Sequence, residues 1–303
     1  MKNFLKLTDF TLAEHRRLFE RAAELKQRRA EGLAEHTLGG KTLVMLMEKA
    51  STRTRLSFAA AAFQLGGSAV ELAAGTSQLA RGEPLSDTAR VVSGYADAVV
   101  MRTSSDARLE ELARYSSIPV INGLTDGGHP VQVLTDVFTI QEQLGGVPGK
   151  TVAFIGDGSG NMARSFAEAA PLFGFDLWVG APAAYSLPAA DVDRAGGRVK
   201  TTTEPRMAVR NAEVVITDVW TSMGQEAELA ARLKAFAGFT VDAALMAYAR
   251  PGAIVLHCLP AHRGEEITAE VLEGPASRVW VEAENRMHVQ KALLEHLILH
   301  PEE

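Results

Sequence analysis

Three features of the sequence predict an α/β fold of two similar domains, each a parallel sheet flanked by helices, joined by helices across a cleft. Short apolar runs alternate with helical segments, a pattern of βαβ units and parallel sheets and not of a sandwich. The two halves begin alike: Gly40-Lys41-Thr42 leads into LVMLM, and Gly149-Lys150-Thr151 leads into VAFIG. A chain of 303 residues is also long enough for two domains of ordinary size.

The elements follow in order. Thr11-Leu-Ala-Glu14 reads as a capping box whose helix runs through Leu18, Ala22 and Leu25 towards Gly32. Strands are expected at Leu43–Met47, Ala69–Leu72, Ala98–Met101 and Pro119–Ile121 in the first half. In the second half they are expected at Val152–Ile155, Leu177–Val179, Val214–Thr217, Ile254–Leu256 and Val279–Val281. Residues 1–145 form one expected domain and 146–284 the other, linked by a helix from Pro130 to Leu144; a last helix, 285–303, packs back on the first.

Composition narrows the function. With 47% apolar and 22% charged residues the chain is ordinary for a soluble globular protein. A net charge of -6 gives no general basic surface for nucleic acid, so positive charge for an anionic ligand must be gathered locally. The single cysteine, Cys258, excludes an intrachain disulfide, and Met1 to Phe10 lacks the apolar core of a signal peptide. A cytoplasmic protein that binds no membrane is the expectation.

The two Gly-Lys-Thr triplets are not phosphate-binding P-loops. In a P-loop the lysine follows a strand and precedes a helix, whereas here it precedes the strand, and Leu144 occupies the place of the first glycine. They read as strand-entry turns.

Four segments could carry chemistry. Ser51-Thr52-Arg53-Thr54-Arg55 follows the first strand and opens a helix expected from Leu56 to Leu65. Hydroxyls and guanidiniums at a helix amino terminus, with its free N–H groups and positive dipole end, make a phosphate cradle. His129-Pro130-Val131-Gln132 follows a Gly127-Gly128 turn; His129 can donate to a carbonyl oxygen or serve only as a helix cap, and the residues alone leave both open. Gly156-Asp-Gly158-Ser-Gly160-Asn161 departs from a dinucleotide fingerprint at Asn161, and no acid follows the next strand to hold a ribose. Its small residues suggest a turn that approaches a ligand closely, with Asn161 supplying an amide. Asp218 and His257-Cys258-Leu259-Pro260 both follow strands, at the end where open α/β sheets bind ligands. No metal-ligand spacing is present, and adjacent strand residues face opposite ways, so His257 is badly placed to activate Cys258. Leu259-Pro260 could be a cis peptide.

Taken in order, Ser-Thr-Arg-Thr-Arg, His-Pro-x-Gln, Asp-Val-Trp-x-Ser-Met-Gly and His-Cys-Leu-Pro-Ala-His-Arg-Gly-Glu-Glu resemble the ornithine carbamoyltransferases over nearly the whole chain. The resemblance implies transfer of the carbamoyl group of carbamoyl phosphate to the side-chain amine of ornithine, without metal or organic cofactor, in a cleft between the domains. It implies that Ser51, Thr52, Arg53 and Thr54 hold the phosphate with Arg102, and that His129 and Gln132 bind the carbamoyl end. Gln78 would come from a neighbouring subunit of a trimer. Asn161, Asp218, Ser222 and Met223 would bind ornithine, and Cys258, Leu259 and Arg286 would close the site. Arg102, His129 and Cys258 are the catalytic residues so implied, with Cys258 a substrate contact and not a nucleophile. Putrescine or an acylated ornithine is the alternative acceptor.

Overall fold

The computed structural model describes residues 2–221 and 228–300. Along the chain the helices and strands are α1 (Leu12–Ala30), β1 (Thr42–Met47), α2 (Thr52–Gln64), β2 (Ser68–Ala73), α3 (Leu85–Tyr95), β3 (Ala98–Arg102), α4 (Asp106–Tyr115), β4 (Val120–Leu124) and α5 (Pro130–Leu144). There follow β5 (Thr151–Ile155), α6 (Asn161–Phe173), β6 (Asp176–Gly180), α7 (Ala189–Arg194), β7 (Val199–Thr202), α8 (Pro205–Val209) and β8 (Val214–Thr217). The last are α9 (Leu229–Ala235), α10 (Ala243–Met246), β9 (Ile254–His257), α11 (Ala269–Leu272) and α12 (Val279–Leu299). The chain divides into two compact units, Met1–Thr135 with Glu284–Glu303, and Asp136–Ala283, so the divisions fall inside α5 and α12.

In the first unit four parallel strands lie in the order β2-β1-β3-β4. The run Leu43–Met47 is buried throughout, as expected of a parallel strand covered on both faces. Val44, Leu46, Val99, Met101 and Val120 of the sheet pack with Leu85, Ala89 and Val92 of α3 and Leu109 and Leu112 of α4. Thr11 and Glu14 form the capping box of α1. The end of α12 is tied to α1 and α2: Arg21 pairs with Glu295, Lys26 Nζ donates to Asn285 Oδ1 at 2.8 Å, and Lys291 Nζ donates to Gln64 Oε1 at 3.2 Å.

The second unit repeats the plan with five parallel strands, β7-β6-β5-β8-β9. Ile155, Val215 and Val255 of the sheet meet Trp220 and Phe236, whose rings stack with centroids 5.4 Å apart. The likeness of the halves extends to the strand-entry turns. Gly40 and Gly149 are left-handed, at φ 77° and 76°. Lys41 Nζ then pairs with Asp97 at 3.0 Å and Lys150 Nζ with Glu213 at 3.2 Å, each acid preceding the neighbouring strand and also accepting from the threonine N–H. Both lysines are therefore structural.

Three expectations need correction. Val279–Val281 is the first turn of α12 and not a strand; the strand-like pairing falls just before it, where Ser277 bridges Val255. β-branched and aromatic residues favour strands in isolation, and packing overrides that preference here. The last helix accordingly begins at Val279, ahead of Asn285. The helix after β1 begins at Thr52, ahead of Leu56, so the hydroxyl-rich segment is its first turn. A further strand, β7, was hidden because Val-Lys-Thr-Thr is a half-exposed edge with little apolar signal.

His288 of α12 is fully buried, and neither ring nitrogen makes a hydrogen bond. Burial, helped by Lys291, Arg29 and Lys26, lowers its pKa to about 3. The unfolded chain binds this proton near pH 6.5 and the folded chain does not, so stability is lost as pH falls from about 6.5 towards 3. We expect the unfolding free energy in urea to fall with pH less steeply in His288→Gln than in the parent, by about 1 kcal/mol per pH unit between pH 6 and 4.5. Equal slopes would show that His288 titrates alike in both states.

Candidate active site

In each unit the chain first lays down a central strand, then builds outward to one side and afterwards to the other. The strand order therefore reverses between β1 and β3, and again between β5 and β8. Such switch points open a crevice at the carboxyl ends of the strands, where the outgoing loops diverge. Residues 51–55, residues 156–161 and Asp218 follow β1, β5 and β8 at these two places, whereas His129 and Cys258 follow the outer strands β4 and β9.

At the first, Ser51 is the N-cap of α2, its hydroxyl accepting from Thr54 N at 3.2 Å. Thr52, Arg53 and Thr54 form the opening turn, and Thr54 is buried. Thr54 Oγ1 accepts from two guanidiniums at 3.1 Å each, Arg102 at the end of β3 and Arg286 on α12. With both its acceptor positions taken, the hydroxyl proton is left to donate. His129, also buried, precedes α5, and its carbonyl accepts from Gln132 N at 3.1 Å. Burial first, then Arg286, Arg102 and Arg53, push its pKa well below 6.5. His129 is therefore a neutral imidazole at pH 7, able to donate from one nitrogen. Three guanidiniums and a helix amino terminus around one point form a field suited to a multiply charged anion.

The turn that places His129 has a steric requirement. A Cβ on Gly127 would stand 2.2 Å from the Asp106 carboxylate of α4, so a larger residue would have to turn that side chain aside. Gln78 stands apart: it lies in a 3-10 turn, Gln78–Arg81, with its side chain exposed and bonded to none of these residues.

At the second switch point, Asn161 opens α6 and Asp218 follows β8. Asp218 Oδ1 accepts from Val219 N at 2.8 Å and from Cys258 Sγ at 3.2 Å. Burial raises its pKa, opposed by His257 and by these hydrogen bonds. A carboxylate so desolvated gains from a cationic partner. Ser222 and Met223 lie outside the described residues. The sequence suggested that the glycines after β5 let a turn approach a ligand. At Gly158 the need is internal, since a Cβ would lie 2.8 Å from Leu187 N and 2.9 Å from the Tyr185 carbonyl oxygen.

Cys258 is no nucleophile in this setting. Burial, with Asp218 and Glu282 adding negative charge, drives its pKa well above 9.0. His257 is committed elsewhere: its Nδ1 accepts from Leu259 N at 2.9 Å, so Nε2 donates to Glu266 at 3.0 Å. Leu259 is held at φ 59°, a left-handed conformation rare for a branched side chain, beside a cis bond to Pro260. Asp218, His257 and Cys258 present possible metal-ligand atoms within 4.8 Å of one another, as do His262, Glu265 and Glu266. A metal at the first group would have to take one His257 nitrogen from its hydrogen-bond partner and deprotonate the thiol. We expect Cys258 to react with a neutral disulfide reagent at pH 7 far more slowly than a free thiol, and faster as pH rises; fast labelling at pH 7 would show a thiolate.

Sequence reasoning missed Arg232. This buried guanidinium donates to Asp157 Oδ2 at 2.7 Å, to the Trp220 carbonyl oxygen at 2.8 Å and to Glu228 Oε2 at 3.0 Å. It thereby ties the loop after β5 to the segment after β8. Its i,i+4 pairing with Glu228 is an ordinary surface pattern, and its other partners, Asp157 and Trp220, lie 75 and 12 residues away.

The fold is a doubly repeated α/β plan, with a cluster of guanidiniums at one switch point and a half-buried carboxylate at the other. Residues 2–142 match the carbamoyl-P binding domain of aspartate/ornithine carbamoyltransferases, and residues 148–297 match their Asp/Orn binding domain. The chain belongs to the aspartate/ornithine carbamoyltransferase family. It is 55% identical over 301 residues to an ornithine carbamoyltransferase of Sorangium cellulosum, covering 97% of this chain and 96% of that one. Among solved structures it is similar to the ornithine carbamoyltransferase of Pyrococcus furiosus, with TM-score 0.93, 42% identity and coverage of 99% and 97%. The enzyme of Burkholderia thailandensis gives TM-score 0.91 at 43% identity, covering 99% of each chain.

Proposed function

We propose that this chain transfers the carbamoyl group of carbamoyl phosphate to the side-chain amine of L-ornithine, giving L-citrulline and phosphate. The observation that carries the reading is Thr54, buried at the amino terminus of α2 and gripped by Arg102 and Arg286 beside a neutral His129. Residues 1–145 with 285–303 are the proposed carbamoyl phosphate-binding domain and 146–284 the ornithine-binding domain.

The chemistry follows from charge. As the neutral amine attacks the carbonyl carbon, negative charge grows on the carbonyl oxygen; the C–O bond to phosphate then breaks, and the proton lost by the amine leaves on the phosphate. Thr54, Arg102 and His129 donate to the carbonyl oxygen, Gln132 holds the carbamoyl nitrogen, and Ser51, Thr52, Arg53 and the N–H groups of α2 keep the phosphate. A neutral His129 suits this role, since it donates without needing to lose a proton. Asp218 pairs with the α-ammonium of ornithine, Asn161, Ser222 and Met223 complete its site with Cys258 and Leu259, and Arg286 belongs to the carbamoyl phosphate half-site through Thr54. Much of the rate comes from holding the two molecules in contact with water excluded. A panel of amines tests the acceptor: citrulline formation should far exceed carbamoylation of putrescine or N-acetylornithine, and preference for either would refute the assignment.

The active form is proposed to be a homotrimer in the cytoplasm, with Gln78 serving the neighbouring subunit's site. Leu56 and Phe63 on α2 and Val70 on edge strand β2 support an interface there, being 65%, 79% and 53% exposed. Among the described residues no helix is long and apolar enough to cross a membrane. Arg53→Ala and Gln78→Ala chains, assayed at carbamoyl phosphate low enough that each alone is severely impaired, then unfolded and refolded together in equal amounts, should recover about one quarter of the sites, from one half times one half. Activity no greater than the parents' average would place Gln78 in its own subunit's site or in none.

A further inference from the structure

Arg108 lies outside every motif recognised in the sequence, and its position is unfavourable on local grounds. It occupies the first turn of α4, where its own N–H donates to the Ser105 cap at 3.3 Å. A cation there faces the positive end of the helix dipole. The guanidinium turns back to Glu48, donating from Nη2 and from Nε, the latter at 3.1 Å to Oε1 and 3.2 Å to Oε2. Glu48 thus adds a second carboxylate beside this helix start, whose own first turn carries Asp106.

Glu48 is also the residue that follows β1, three positions before Ser51. Its N–H donates to the Arg102 carbonyl oxygen at 2.9 Å, and its carboxylate accepts from the hydroxyl of Thr103, the residue after Arg102. Thr103 N in turn donates to the Leu124 carbonyl oxygen at 3.0 Å, at the end of β4. One carboxylate therefore joins the ends of β1 and β3 to the start of α4. The phosphate cradle leaves the first strand and Arg102 leaves the second, so their mutual register depends on this junction. The same turn of α4 carries Asp106, packed against Gly127 two residues before His129.

We infer that Arg108 is a positioning residue for the carbamoyl phosphate half-site, acting through Glu48 on the placement of Arg102 against Ser51 to Thr54. This rests on the function proposed above. Removing Arg108 frees the Glu48 carboxylate to shift, and a displaced cradle weakens the anion while the acceptor half-site in the second unit is untouched.

The experiment compares Arg108→Ala, Arg108→Lys and Glu48→Gln with the parent enzyme in citrulline formation, with melting temperatures recorded for each. Arg108→Ala should raise KM for carbamoyl phosphate about tenfold and leave KM for ornithine within about twofold. Arg108→Lys should fall between, because an ammonium keeps the charge but cannot grip a carboxylate with two parallel bonds. Glu48→Gln added to Arg108→Ala should change carbamoyl phosphate KM little further, as expected for two residues acting through one contact. An unchanged carbamoyl phosphate KM in folded Arg108→Ala, or equal changes in both KM values, would overturn the inference. If Arg108→Ala does not fold, Arg108→Lys decides between the same outcomes. A parent enzyme that forms no citrulline would instead strike the functional reading, and affinity for inorganic phosphate by calorimetry would then test Arg108 alone.

Discussion

Arg53→Ala is expected to weaken carbamoyl phosphate binding by about 1.5–3 kcal/mol, roughly ten- to 150-fold, with little change in ornithine affinity. Arg53 is the second residue of α2, where the dipole already favours an anion, and its guanidinium adds a charge-assisted bond to the phosphate. A second signature follows from its neighbourhood. Arg53 is one of the three guanidiniums that, after burial, hold the His129 pKa down. Losing its charge lets that pKa rise, so any acid limb that His129 imposes on kcat/KM should move to higher pH. Undiminished carbamoyl phosphate affinity in equilibrium binding would remove Arg53 from the cradle.

Asp218→Asn is expected to raise KM for ornithine by about thirtyfold or more, corresponding to at least ~2 kcal/mol for a charge pair lost from a desolvated site. The substitution preserves shape, and an amide oxygen can still accept from Val219 N and the Cys258 thiol, so it removes charge and little else. Burial is the main cause of the raised Asp218 pKa, and the ammonium of bound ornithine would offset that penalty. Carbamoyl phosphate binding should be unaffected. A variant that kept ornithine affinity and lost carbamoyl phosphate would show the two half-sites to be assigned the wrong way round.

What could be read from the sequence was what depends on neighbours along the chain. LVMLM and VAFIG announce buried parallel strands because covered sheets demand continuous apolar runs. Arginines at a helix amino terminus announce an anion because the dipole alone would repel them. Thr11 and Glu14 announce a helix start because the capping box is closed within four residues. What escaped depends on partners far away. Val279–Val281 is helical because of its surroundings, against its own preference for strand. The grip of Arg286 on Thr54 spans 232 residues, that of Arg232 on Asp157 spans 75, and that of Arg108 on Glu48 spans 60. Gly158 looked like a ligand-facing residue because sequence cannot tell a ligand from the chain's own backbone at Tyr185 to Leu187.

The most direct measurement follows the carbamoyl carbon itself. Enzyme, ornithine and carbamoyl phosphate labelled with 13C at the carbonyl are mixed and observed by NMR, with phosphate assayed in parallel. The label should pass to the ureido carbon of citrulline, one phosphate appearing for each citrulline, and none should be found on Cys258 after quenching. Phosphate release without labelled citrulline, or a carbamoyl group recovered on the thiol, would contradict direct transfer between two bound substrates.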